Sequence, residues 1–206
     1  MKDAETSRVR RLPPGPHGLP ADLVERNQRE RLIAAMAEEC GERGYAETSV
    51  AEIARRAGVS TASFYRQFKD RRECMLASFE ELCGRLIESI EGGCAEGTDS
   101  QARVRSGIQI AAALLAGDLP TARLLTVEID ALGPDGVRLR QGAIERLAEL
   151  LRRAGRAQAE SSPRSLDAEW IAVAAMVTLV AARVVEGALP DAEELEAICE
   201  IALDSP

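Results

Sequence analysis

The segment Thr61 to Gln67 reads Thr-Ala-Ser-Phe-Tyr-Arg-Gln, so hydroxyls, a phenol, a guanidinium and an amide surround one aromatic, Phe64. At helical spacing Phe64 turns inward and leaves Thr61, Ser63, Tyr65, Arg66 and Gln67 outward. Those side-chain types reach base edges and phosphate oxygens from a helix lying in a DNA major groove. Tyr65 is the strongest member, because an aromatic beside core Phe64 must point elsewhere and this helix has no second apolar face to receive it. Catalytic chemistry has far fewer bearers. The only histidine is His17, in a proline-rich stretch, which leaves no base for Ser-His-Asp or Cys-His catalysis and no His-based zinc site. Five cysteines, at 40, 74, 83, 94 and 199, form no CxxC and no even framework, so reduced thiols are expected. The expectation is a protein with no catalytic residue, no metal and no cofactor.

The elements that position the Thr61 to Gln67 segment are helical. Ser49 to Ala57 and Thr61 to Phe68 read as two short helices separated by Gly58, Val59 and Ser60. Two such helices crossing steeply need a small residue where they touch and one free to take positive φ in the turn; Ala54 and Gly58 supply these. Ile53, Ala57, Val59, Phe64 and Phe68 are spaced to fill the angle and bury it on a first helix. That helix carries the stripe Leu32, Ile33, Met36, Ala37 and Cys40 and is expected to end at Gly41 and Gly44. Thr48 or Ser49 would cap the first short helix and Ser60 the second, and Ser49 with Glu52 has capping-box spacing. Capping and phosphate contact are both open to these hydroxyls.

Beyond Phe68 an amphipathic helix carries Met75, Phe79, Leu82, Leu86 and Ile90 and is expected to close at Gly92 and Gly93. Further helices are expected near 100–117, 120–132, 135–154, 166–188 and 191–203, with a boundary at Ser161 to Pro163 among others. This is nine helices and no sheet: an all-α chain. Segment 166–188 is apolar nearly all round and must be buried in a core or against a second subunit. The longest nearly uncharged run, Trp170 to Ala182, is 13 residues, short of the roughly 18 to 20 a spanning helix needs. With no secretory signal at Met1 to Glu5, the expectation is a cytoplasmic protein without a membrane partner. Residues 1–72 hold 14 basic and 11 acidic side chains, net +3, whereas residues 73–206 hold 12 and 23, net −11. Such a split suits an N-terminal part that alone meets a polyanion. Ahead of it, residues 1–21 read as an arm, with Arg8, Arg10 and Arg11 before four prolines. It serves as a solvated tail or as a groove-reaching arm.

The run Gly44-Tyr45, Thr48 to Val50, Ile53-Ala54, Ala57 to Ser60, Phe64-Tyr65 and Phe68, with a basic start to the next helix, closely resembles the N-terminal pattern of the TetR family of bacterial transcription regulators. The resemblance covers roughly residues 27 to 80. It implies a nine-helix architecture: a helix-turn-helix DNA-binding domain at 22–70, then a ligand-binding and dimerisation domain at 71–206 entered by a linking helix, 71–92. It further implies phosphate contacts by Thr48, Ser60, Tyr65 and a basic residue opening the fourth helix, here Arg71 with Lys69 and Arg72 nearby. Base reading falls to Thr61, Ser63, Arg66 and Gln67, with Ser49 at the same surface. Helices near 166–188 and 191–203 are expected to pair two copies through a four-helix seam. A palindromic double-stranded operator follows, with recognition helices entering major grooves roughly 34 to 36 Å apart.

Members of that family enclose a ligand cavity, and the candidate lining here is Phe79, Cys83, Leu86, Leu125, Glu128, Trp170, Met176, Thr178 and Arg183. Few aromatics lie in this part, which favours a flexible apolar effector over a stacked ring. The function expected is a homodimeric repressor released from its operator by a small apolar ligand. Two alternatives stand beside it. One is a thiol-based redox regulator using Cys74 or Cys83, where Cys74 follows Arg71 and Arg72 in the kind of electropositive setting a reactive thiol needs. The other is a helical-cavity enzyme or carrier with Glu128 or Asp130 as general base.

Overall fold

A computed structural model of the chain describes residues 20–155 and 166–204. Among these residues the secondary structure is helical throughout: α1 Ala21–Arg43, α2 Val50–Ala57, α3 Thr61–Gln67, α4 Arg71–Glu96, α5 Ser100–Gly117, α6 Leu119–Thr126, a 3₁₀ helix Glu128–Leu132, α7 Pro134–Gly155, α8 Leu166–Val185 and α9 Ala192–Asp204. The all-α expectation of nine helices is met. The proline-rich arm, with Arg8, Arg10, Arg11 and His17, and the boundary at Ser161 to Pro163 lie outside the described residues. The chain divides into two compact units between Ser78 and Phe79, within α4.

In the first unit α2 and α3 pack on each other and on α1. Gly58 takes φ 63°, ψ 38°, the left-handed conformation that stops α2, and its neighbour Val59 donates back to the Ala54 carbonyl at 2.9 Å. Ala54 is buried where the helices touch, and Ile53, Ala57, Phe64 and Phe68 are buried on the α1 stripe, with Val59 half-buried. Charge also ties α2 to α1. Glu39 is fully buried, and Arg56 donates from Nε to its carboxylate at 2.7 Å while Nη1 reaches Glu42 at 2.6 Å. A buried carboxylate is tolerable only because guanidinium groups surround it, Arg55 lying 3.5 Å away and Arg43 3.8 Å away.

In the second unit α8 packs against α6, α7 and α9, around a core that includes Ile144, Ala148, Val173, Val180, Val184 and Leu195. Three expectations need correction here. The helix thought to close at Gly92 and Gly93 continues to Glu96. Gly93 is not a stop; a Cβ there would lie 2.0 Å from Cδ1 of Ile110, so the glycine admits the close approach of α5. The expected helix 120–132 is two elements, because Val127 leaves helical geometry at φ −119° and the chain tightens to i+3 bonding, with Asp130 N–H on the Val127 carbonyl at 3.3 Å.

The third concerns membrane crossing. Tolerating Glu169 and Arg183, the span Ala168–Val185 gives 18 residues long and apolar enough to cross a bilayer by length and composition. The uncharged-run count missed this, because two charges at the ends of a helix do not shorten its apolar body. In the fold Glu169 is buried and Arg183 donates to Glu194 of α9, so both end charges are met by protein, while 28% of the span is buried.

Candidate nucleic-acid interface and effector cavity

Local chemistry fixes both short helices of the first unit. Ser49 Oγ accepts from the Glu52 N–H at 3.3 Å, and the Glu52 carboxylate accepts from the Ser49 N–H at 3.0 Å and its hydroxyl at 2.7 Å, a complete capping box. These bonds hold the Glu52 carboxyl below the usual carboxylate range. Ser60 Oγ caps α3 by accepting from the Ser63 N–H at 3.0 Å. Fixed at its start and anchored by fully buried Phe64, α3 presents Thr61, Tyr65 and Arg66 outward, with Tyr65 59% exposed.

The remaining expected DNA contacts divide by burial. Ser63 is buried rather than exposed; its hydroxyl pairs with Ser60 at 3.0 Å and accepts from Arg66 Nη2 at 2.8 Å, so it orients the arginine instead of facing a base. Thr48 is buried too, its hydroxyl donating to the Gly44 carbonyl at 2.9 Å. Exposed Ser49 and Ser60 are both engaged as caps, and half-buried Gln67 reaches the Glu25 carbonyl at 3.5 Å. Arg71 points back into the unit, donating to the carbonyls of Tyr45 at 3.0 Å, Ala46 at 3.3 Å and Thr48. Lys69 is exposed at the turn before α4.

The second unit encloses an apolar cavity of about 140 Å³. Of the expected lining, Phe79, Cys83, Leu86, Leu125 and Met176 are on its wall. Glu128, Trp170, Thr178 and Arg183 are not. Glu128 accepts from Arg123 at 2.9 Å, Trp170 is 40% exposed, Thr178 is exposed and donates to the Ala174 carbonyl at 2.7 Å, and Arg183 is paired with Glu194. Apolar residues from Ile90 on α4 to Val180 on α8 and Leu195 on α9 complete the wall, together with the stem of one charged side chain, Arg140, that sequence reasoning missed. Its signal was the amphipathic spacing of α7, which sets Arg140 in line with Ala143, Ile144 and Leu147.

The thiol alternative loses its basis in the same geometry. Cys74 is fully buried, and burial pushes its thiol up to about 12; Cys83 is buried and raised for the same reason. Neither is the accessible, electropositive thiol that redox sensing needs.

Residues 32–77 match the model of the bacterial regulatory proteins, tetR family. That match lies within the first unit. A relative, the fatty acid metabolism regulator protein of Bacillus subtilis, is 30% identical over 99 residues, 48% of this chain. That match spans about half the relative's length, 51%. Among solved structures, the fatty acid degradation regulator FadR of Bacillus halodurans superposes with a TM-score of 0.74 at 20% identity, over 86% of this chain and 95% of that one. FadR of Bacillus subtilis in complex with stearoyl-CoA gives 0.71 at 21% identity, over 85% and 97%. Over 85% to 86% of its length, well beyond the residues that the family model matches, the chain therefore has the fold of these two proteins.

Proposed function

We propose that the chain is a homodimeric, cytoplasmic transcriptional regulator that reads a palindromic operator with α3 and represses until a long, flexible apolar ligand occupies the second unit. The observation that carries this reading is Tyr65, an aromatic left 59% exposed on a capped helix whose other aromatic is fully buried. Burying a phenol's edge against a sugar-phosphate backbone, with Thr61 and Arg66 beside it, gives that exposure a use. Dimerisation is supported by apolar side chains left in water on α8 and α9: Ile171 at 54%, Val185 at 66% and Ile201 at 70%. The cavity wall supports an aliphatic chain, and stearoyl-CoA in the fold relative supports an acyl chain in particular.

The test is selection of genomic fragments by the purified protein at moderate salt beside Tyr65→Ala. Recovery of one palindromic sequence by the wild type alone, released by an acyl compound, is the expected result. Equal affinity for every fragment and for random duplex overturns the reading.

A further inference from the structure

The cavity is laid along α4, whose side chains Phe79, Cys83, Leu86, Ile90 and Cys94 line it as one stripe. From first to last that stripe spans about 22 Å, at about 1.5 Å per residue. The wall offers an occupant no free polar group, because the Thr126 hydroxyl is spent on the Ala122 carbonyl at 2.7 Å and the Arg140 guanidinium is paired with Asp130. The cysteines on it behave as small apolar groups. Such a wall distinguishes one chain from another by length and shape alone, so whatever stops the chain sets the choice.

At the Cys94 end the helix turns into α5, and the turn is tied down. Arg103 Nε donates to the Gly97 carbonyl at 3.2 Å, and Asp99 caps α5 by accepting from the Ala102 N–H at 2.8 Å. Cys94 is the last wall residue of α4, and its sulfur rests on Gly107 of α5, itself on the wall. A Cβ on Gly107 would lie 2.6 Å from that sulfur and 3.3 Å from Cγ2 of Ile90, so the missing side chain is what leaves a notch for the thiol.

We propose that Cys94, seated in the notch over Gly107, is the stop that fixes how long an aliphatic chain the cavity accepts. The inference rests on the cavity being the effector site.

Straight-chain acyl-CoAs of increasing length, decanoyl to eicosanoyl, are titrated by calorimetry into the wild type, Cys94→Ala, Cys94→Leu and the double variant Cys94→Ala with Gly107→Ala. Wild-type affinity is expected to rise about fourfold per added methylene, as burial of a CH₂ gives, up to a limiting length and to fall beyond it. Cys94→Ala moves the limit longer by about one methylene, in place of the sulfur removed, and Cys94→Leu moves it shorter. The double variant puts a methyl where the sulfur stood and returns the limit to that of the wild type. Chains well below the limit bind every variant like the wild type, which also shows that the variants fold. A limit that stays put throughout, or variants that weaken all lengths equally, overturns the stop and leaves the cavity reading intact. Binding of no acyl-CoA to the wild type overturns both.

Discussion

The guanidinium of Arg71 lies 4.2 Å above the ring of Tyr45 and donates to the carbonyls of Tyr45 and Ala46. The first basic residue of α4 thus closes the turn between α1 and α2 from the inside. A cation stacked on a ring and bonded through Nη1 to three carbonyls is tied into the fold. Lys69, exposed two residues earlier, is the cation we propose for a phosphate contact.

Two alanine substitutions therefore separate. Lys69→Ala is expected to weaken DNA binding at all sequences and to lower the salt-dependence slope by about 2 per bound dimer, one phosphate contact from each copy, with no change in melting temperature. Arg71→Ala is expected to destabilise the fold by about 1–3 kcal/mol, since it leaves carbonyls without their donor. Fluorescence anisotropy against salt and thermal melting check both. A normal salt slope for Lys69→Ala would return the phosphate contact to Arg71.

Removing the cap at Ser49 should be felt through acid as well as heat. Ser49→Ala is expected to cost about 1 kcal/mol near neutral pH. The Glu52 carboxyl sits below its ordinary value because Ser49 bonds to its charged form. A lowered folded value means the contribution is fully present above the unfolded carboxylate value and disappears as pH falls through the folded one. Wild type and Ser49→Ala should therefore differ most near pH 7, and the difference should narrow in acid to the share of the Oγ cap on the Glu52 N–H, in a series of urea melts. A difference constant with pH would show that the Glu52 half of the box does nothing.

Cys74 should be silent to alkylation in the native protein. With its thiol pushed up to about 12 by burial, almost no thiolate exists at pH 7.5 and no path reaches it. Iodoacetamide under native conditions is expected to leave Cys74 and Cys83 unmodified, whereas Cys94, half-exposed, labels first. Mass spectrometry of the digest reads this directly. Rapid native labelling of Cys74, with loss of DNA affinity, would revive the thiol switch.

The reading head was legible in the sequence because its constraints are local. A glycine at positive φ, serines at cap positions and an aromatic pair of which one must face out each act within a few residues of Ala54 to Tyr65. The second unit was legible as helices but less so as a site. Phe79, Cys83, Leu86, Leu125 and Met176 were found through apolar spacing, yet Glu128, Trp170, Thr178 and Arg183 fall off the wall, because which charge faces a cavity depends on partners far along the chain. Glu194 takes Arg183, Arg123 takes Glu128, and Asp130 takes Arg140, which leaves only the stem of Arg140 along the wall. Burial of Ser63 escaped for a related reason: a hydroxyl between Ala62 and Phe64 looks outward until Ser60 and Arg66 are seen to close over it.

The 3₁₀ helix carrying Asp130 is held against α7 by a backbone approach that only glycine permits. A Cβ on Gly136 would lie 2.0 Å from the Ile129 carbonyl oxygen and 2.9 Å from its carbon. Because both atoms belong to the backbone, no rotamer change can relieve the clash. Gly136→Ala is therefore expected to push Glu128–Leu132 off α7 at a cost of about 1–3 kcal/mol, the usual range for overpacking. Leu125 and Thr126, on the cavity wall just before that segment, would shift with it. Weaker binding of a twelve-carbon acyl probe should accompany a lower melting temperature, while DNA binding at low temperature stays close to wild type because the α3 surface belongs to the other unit. Unchanged acyl affinity in a Gly136→Ala protein that melts normally would show that the 3₁₀ helix yields without disturbing the cavity.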